Sequence, residues 1–149
     1  MRLKVRIEGD PILREISRPV PYVTAEHKKL AKDMLETMLH YNGIGLSAPQ
    51  VGVSQQVIVF DTTEAEENGT SGILFNPEIL HGEQSIEFKE GCLSLPHKKV
   101  LTNRSKRVKV KYLNMFGEPT VKEFEGLAAI VVQHEIDHLQ GILLSDYDK

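Results

Sequence analysis

The run His134-Glu135-Ile136-Asp137-His138 constrains this chain more than any other feature. In a helix, residues four apart lie about one turn apart on one face. Two imidazoles spaced this way can hold a single metal ion. Glu135 is rotated by about 100° from His134. Its carboxylate can then reach a metal-bound water without ligating, which is the geometry a general base requires. The apolar pattern supports the helix. Leu127, Ile130 and Val131 share the face that His134 and His138 continue, which predicts a helix from about Gly126 to Leu139. Chance placement at this composition gives roughly 0.02 such matches. The competing reading is a pair of satisfied core histidines on a buried face.

A catalytic site of this kind takes three protein ligands and keeps a fourth position for water. Thermolysin-like enzymes draw the third from a downstream Glu, and no Glu follows His138. Metzincins use H-E-x-x-H-x-x-G-x-x-H. Gly141 fits that layout, but Leu144 stands where the last His belongs. The remaining strong ligand is upstream. Cys92, the only cysteine, lies in Glu90-Gly91-Cys92-Leu93-Ser94-Leu95-Pro96. A Cys/His/His set suits Zn, Fe(II), Co or Ni more than Mg or Ca. A lone Cys is more often a small buried apolar residue, but Gly91 and Pro96 mark a shaped turn here.

The rest of the chain reads as one domain over residues 1–149. A second helix is predicted from Thr24, which can cap it, to Asn42-Gly43, which stops it. Leu30, Met34, Met38 and Tyr41 form its core stripe. Strands are predicted at Gln56–Asp61, at Ile73–Leu80 with an edge or bend at Pro77, at Val108–Tyr112 and at Thr120–Phe124. Asn114–Gly117 is a turn, and Glu64–Ser71 is an exposed loop. Helix, strands and helix in that order argue an α+β fold. Mostly antiparallel sheets would pack around a central metal-binding helix, with the other helix N-terminal.

Composition excludes several classes. Lys+Arg 18 against Asp+Glu 21 gives −3, so no whole-chain drive toward nucleic acid or anionic membrane is expected. No apolar run approaches the ~20 residues of a membrane span. Met1–Asp10 alternates charge and apolarity and is no secretory signal. One thiol allows no intrachain disulfide and fits a reducing cytoplasm. Residues between Gly91 and Gly117 include Lys and Arg but no Asp or Glu. That stretch reads as the solvent face of a strand.

A third segment, Gly43-Ile44-Gly45-Leu46-Ser47-Ala48-Pro49-Gln50, allows close backbone approach at its glycines and offers a side-chain amide at Gln50. Alone it could be a Gly-rich connection. It is not a phosphate loop, because G-K-[ST] is missing.

Together the three segments resemble the peptide deformylase family. That family's motifs are G-φ-G-φ-A-A-x-Q, E-G-C-φ-S and Q-H-E-x-D-H, with φ apolar. They stand here as GIGLSAPQ (43–50), EGCLS (90–94) and QHEIDH (133–138). The resemblance implies removal of the N-formyl group from the initiator methionine of nascent polypeptides, releasing formate. It implies one divalent metal, natively Fe(II), with Zn, Ni or Co able to substitute. Cys92, His134 and His138 correspond to the ligands. Glu135 corresponds to the general base and later acid, acting on a metal-bound water that attacks the formyl carbon. The Gln50 amide and the Leu93 N–H correspond to oxyanion donors. The Gly45 backbone would pair with substrate, with Gly43 beside it. Ile44, Ile130, Val131 and His134 would line the methionine pocket. Glu90 and Arg104 occupy positions that pair and brace the Cys92 loop.

Two departures stand out. Ser47 replaces the first Ala of its motif, a small change from which little effect is expected. The sequence also ends at Lys149 without the further helix that many bacterial members use near the ribosome. Short phage-encoded members resemble it in this. A monomer is expected, in the bacterial cytoplasm or in a phage's host. Ribosome proximity is possible in principle, but without that docking helix. Formyl-Met peptides should be preferred, with near indifference to later residues. The rivals are another metal-dependent amide hydrolase, a structural metal-binding domain, which would want a fourth protein ligand, and a homologue that binds without turnover, against which Glu135 argues.

Overall fold

A computed structural model describes residues 1–148. Helix α1 spans Ala25–His40 and helix α2 spans Leu127–Leu139. Five strands form one antiparallel sheet in chain order: β1 Gly45–Ser47, β2 Val57–Asp61, β3 Ser71–Cys92, β4 Leu95–Leu113 and β5 Pro119–Glu125. The α+β reading is borne out. Among the described residues no helix is long and apolar enough to cross a membrane.

α1 begins as expected. The Thr24 hydroxyl accepts from the His27 N–H, and His27 Nδ1 accepts from the Thr24 N–H. This reciprocal pairing satisfies two N–H groups that a helix start leaves open. Met34 and Met38 are fully buried, but Tyr41 is half exposed. The helix ends at His40 with Tyr41 as its cap, and Asn42 then turns left-handed (φ 57°), so Tyr41 falls outside the buried stripe.

β2 is buried on both faces, which explains its unbroken apolar run. Ile58 and Phe60 pack toward α2 with Leu74, Val110 and Phe124. Val57 and Val59 face the other way, toward Met34, Met38 and Leu46. The period of two thus ties both helices to one strand.

The β3–β4 hairpin is far longer than the sequence pattern suggested. Apolar alternation marked only Ile73–Leu80 and Val108–Tyr112, where the strands cover the core. Beyond them the residues from His81 to Glu87 are nearly all exposed, so burial imposes no apolar pattern there. Pro77 sits at a register shift between Phe75 and Glu78, the bend it was read to make. A second irregularity separates Glu90 from Cys92 and sets the turn into β4.

The Glu64–Ser71 segment also does more than loop through solvent. Glu66 accepts hydrogen bonds from the Leu127 and Ala128 N–H groups and so caps α2. Gly126 has no side chain to do this. A carboxylate at this end is also favoured by the helix dipole.

Phe60 is fully buried and meets Phe124 edge to face at 5.5 Å between centroids. Phe60→Ala should lower unfolding free energy by about 3–5 kcal/mol, read from urea denaturation midpoints at unchanged slope.

Candidate active site

α2 is buried on almost every side, not on one stripe alone: ten of its residues are buried. Its imidazoles therefore sit inside the protein. His134 Nε2 and His138 Nε2 lie 3.3 Å apart. Cys92 Sγ, at the end of β3, is 3.5 Å from His138 Nε2. All three ligand-type atoms lie within 4.8 Å of one another. The irregularity between Glu90 and Cys92 is the local device that brings the sulfur to the helix.

Glu90 organises the surroundings. Its carboxylate accepts from His134 Nδ1 at 2.8 Å, and from Arg104 Nε and Nη2 at 2.7 and 3.0 Å. The Thr102 hydroxyl also donates to it. Val100, Thr102 and Arg104 alternate on the buried side of β4, so the strand period aims both donors at Glu90. Burial by itself would raise the Glu90 pKa. The bonds from His134 and Arg104 outweigh it and hold the carboxyl at about 2. An ionised Glu90 fixes the proton of His134 on Nδ1 and turns Nε2 toward Cys92.

Arg104 is held in turn. Its Nη1 donates to Asp137 Oδ2 at 2.6 Å, and the Tyr147 hydroxyl donates to the same oxygen at 2.6 Å. The Tyr147 ring also packs against the guanidinium, 4.9 Å from its centroid. The sequence reading missed Thr102, Asp137 and Tyr147. Asp137 was visible inside the H-E-x-x-H run, but nothing local shows what it bonds.

Glu135 is buried, with Oε2 3.9 Å from His134 Nε2 and Oε1 without a hydrogen-bond partner. Burial pushes its pKa up to about 7, against the pull of His134. For His134 burial works downward, but Glu135, Cys92 and Glu90 together raise it well above its ordinary value. Three anionic or electron-rich groups thus call for positive charge at one point. His138 is pushed well below its ordinary value by burial and by His134, and its Nδ1 has no partner.

A cleft of about 910 Å³ opens onto these groups. Gly43, Ile44, Gly45, Cys92, Leu93, Ile130, Val131, His134 and Glu135 all line it. Gly45 packs so closely that a Cβ there would lie 2.5 Å from Glu135 Oε2 and 2.6 Å from Val131 Cγ1. Gln50, His138 and Arg104 are buried next to the lining residues. Gln50 Oε1 accepts from the Ser47 N–H and hydroxyl at 2.9 and 3.0 Å. Its Nε2 donates to Ser94 Oγ at 3.0 Å and to Cys92 Sγ at 3.5 Å. The Ser47 hydroxyl thus contributes a bond that alanine lacks, although little effect was expected from it.

A family model for polypeptide deformylases matches residues 3–149. The chain belongs to the peptide deformylase family. A peptide deformylase of Thermotoga maritima is 48% identical over 144 residues, covering 96% of this chain and 85% of the relative. A crystal structure of peptide deformylase from Thermotoga maritima superposes with a TM-score of 0.92 at 45% identity, covering 99% of this chain and 97% of the other. A Met-Ala-Ser-bound class I type b peptide deformylase from Acinetobacter baumannii is also similar. Its TM-score is 0.92 at 38% identity, and it covers 99% and 98% of the two chains. The three deformylase motifs quoted above, distant in sequence, meet at the cleft and the cluster behind it.

Arg104→Met would leave Glu90 buried without its counter-ion. In the deformylase fold this should cost about 3–5 kcal/mol in a guanidinium melt. Adding Glu90→Gln should return part of that loss.

Proposed function

We propose that this deformylase hydrolyses the formyl amide of N-formylmethionyl peptides, leaving formate and a free amino terminus. The convergence of Cys92 Sγ and two imidazole Nε2 atoms beside an unpartnered Glu135 oxygen carries the reading. The relative captured with Met-Ala-Ser supports it from outside this chain.

The residues fit a divalent metal. One soft sulfur and two imidazoles converge, and buried negative charge surrounds them. Three protein donors leave a position open, unlike a closed structural site. Cys92, His134 and His138 would hold Fe(II), with Zn, Ni or Co as substitutes. When bound, the metal supplies Lewis acidity toward water and the formyl carbonyl.

The chain's own groups do the rest. Glu135, with a pKa near the working range, takes a proton from the attacking water. As the C–N bond breaks, it returns that proton to the departing nitrogen. The Leu93 N–H and Gln50 Nε2 hold the charge that develops on the formyl oxygen. β1 is an edge strand, so the backbone near Gly45 can pair with an extended peptide. Ile44, Ile130, Val131 and the His134 ring receive the methionine side chain, whose unbranched thioether fills irregular apolar space. Glu90 and Arg104 keep His134 and the Cys92 turn in place.

The decisive assay compares formyl-Met-Ala-Ser with an acetylated internal peptide. Formate release from the first alone is expected. Cleavage of the second would favour a general amide hydrolase. Glu135→Gln should keep one metal equivalent and lose roughly 10²-fold or more in turnover, whereas Cys92→Ala should lose metal. A Cys92→Ala protein with full metal affinity would overturn the ligand assignment.

Pocket shape predicts the first-residue preference. Formyl-Ala-Ala-Ser should be poorer than formyl-Met-Ala-Ser by roughly 10²-fold in kcat/KM. Equal values would mean that Ile44, Ile130 and Val131 do not form the pocket.

A further inference from the structure

The cleft is lined by more than the reacting groups. Lys4, Lys89, Lys98 and Lys99 also line it, all with exposed side chains. They come from opposite parts of the chain: Lys4 from the N-terminal segment, Lys89 from β3, Lys98 and Lys99 from β4. Backbone bonds hold that segment in place, with Arg6 N–H to the Gln50 carbonyl at 2.7 Å and Glu8 N–H to the Ser94 carbonyl at 2.8 Å. Lys99 lies across the backbone next to Cys92, since a Cβ on Gly91 would meet its Nζ at 3.2 Å.

The acids nearby offset this charge only in part: Asp10, close to Lys4, pairs with Arg6 at 2.9 Å, and Glu8, close to Lys98, accepts from the Ser145 hydroxyl. Glu90 is committed to Arg104 and His134. Glu135 is buried at the base of the cleft. Asp148 pairs with Lys98 at 2.5 Å. Among the described residues, Lys4, Lys89 and Lys99 form no ion pair. Three exposed lysines at the cleft therefore keep positive charge that no ion pair neutralises.

We infer that the lysines at the cleft mouth select formyl-Met peptides with acidic side chains in the positions just after methionine. The inference rests on the deformylase reading and names the substrate class within it. Main-chain pairing near Gly45 carries little side-chain preference, so the expected indifference to later residues should hold for size and fail for charge. The alternative anion, RNA, is less suited. These lysines line a cleft shared with the buried His134 and Glu135, whereas a nucleic-acid interface covers roughly 600–2,500 Å² of protein surface.

The test uses the metal-loaded enzyme and three substrates: formyl-Met-Ala-Asp-Glu, formyl-Met-Ala-Gln-Gln and formyl-Met-Ala-Lys-Lys, all amidated. Exposed ion pairs are individually weak, so the acidic peptide should exceed the basic one by roughly 3- to 10-fold in kcat/KM. The ratio should fall toward unity near 1 M salt, where the screening length is about 3 Å. The Lys89→Glu/Lys99→Glu double variant should invert the ratio. Lys109→Glu, on the exposed side of β4, makes a smaller charge change away from the cleft and should preserve it. Titration of the deformylated products Met-Ala-Asp-Glu and Met-Ala-Lys-Lys by calorimetry gives the same ratio without turnover. Equal kcat/KM and equal product affinity at low salt overturn the inference while leaving the deformylase reading intact. Discrimination among products with no formate from any substrate instead sinks that reading and keeps the charge selectivity. A short RNA that competes with all three peptides alike, with no peptide discrimination, assigns the lysines to nucleic acid and also overturns it.

Discussion

The carboxylate of Glu90 is taken out of water and stays ionised only because Arg104 grips it with two N–H groups and His134 with a third. Removing one side of such a buried pair costs far more than the pair contributes in net terms. The arrangement therefore acts as a lock on geometry. It sets the His134 tautomer, aims Nε2 at Cys92 and ties β3, β4 and α2 together. Asp137 and Tyr147 extend the lock to the end of the described chain. A ligand cluster built this way is preorganised by the fold and needs little rearrangement to receive a metal.

The sheet supplies the second constraint. β2 is apolar on both faces because one helix covers each. That leaves α2 enclosed, with its reactive side chains at the base of a cleft. Burial then acts on Glu135 directly, raising its pKa into the range where a carboxyl can both take and give a proton. Gly45 is part of the same packing. Its missing side chain lets β1 pass close to Glu135 and Val131, so this edge strand lies beside the Glu135 carboxylate.

Much of this was legible residue by residue. The helical period put His134 and His138 on one face and moved Glu135 off it. Thr24 and Asn42 marked the ends of α1 through their own side-chain and backbone preferences. Pro77 marked a bend. The failures have a common physical origin. Tyr41 was placed by extending the period one residue past the helix end at His40. The outer β3–β4 hairpin was invisible because β3 is nearly all exposed from His81 to Glu87, and the buried side of β4 carries polar Thr102 and Arg104 there instead of an apolar alternation. At Ser47 the size of the side chain was legible and its bond to Gln50 was not.

By itself the sequence determined the chemistry available: two imidazoles and a carboxylate at fixed helical spacing, one thiol in a shaped turn, and three motifs that together resemble one family. Such signals survive without tertiary structure because they depend on local period, turn geometry or residue type. Only the tertiary structure decided which groups meet. The approach of Cys92 to His138, the capping of α2 by Glu66, the chain from Tyr147 through Asp137 and Arg104 to Glu90, and the lysines around one cleft all join residues far apart in the chain. No sequence period encodes those contacts. They follow from how the sheet packs against its two helices.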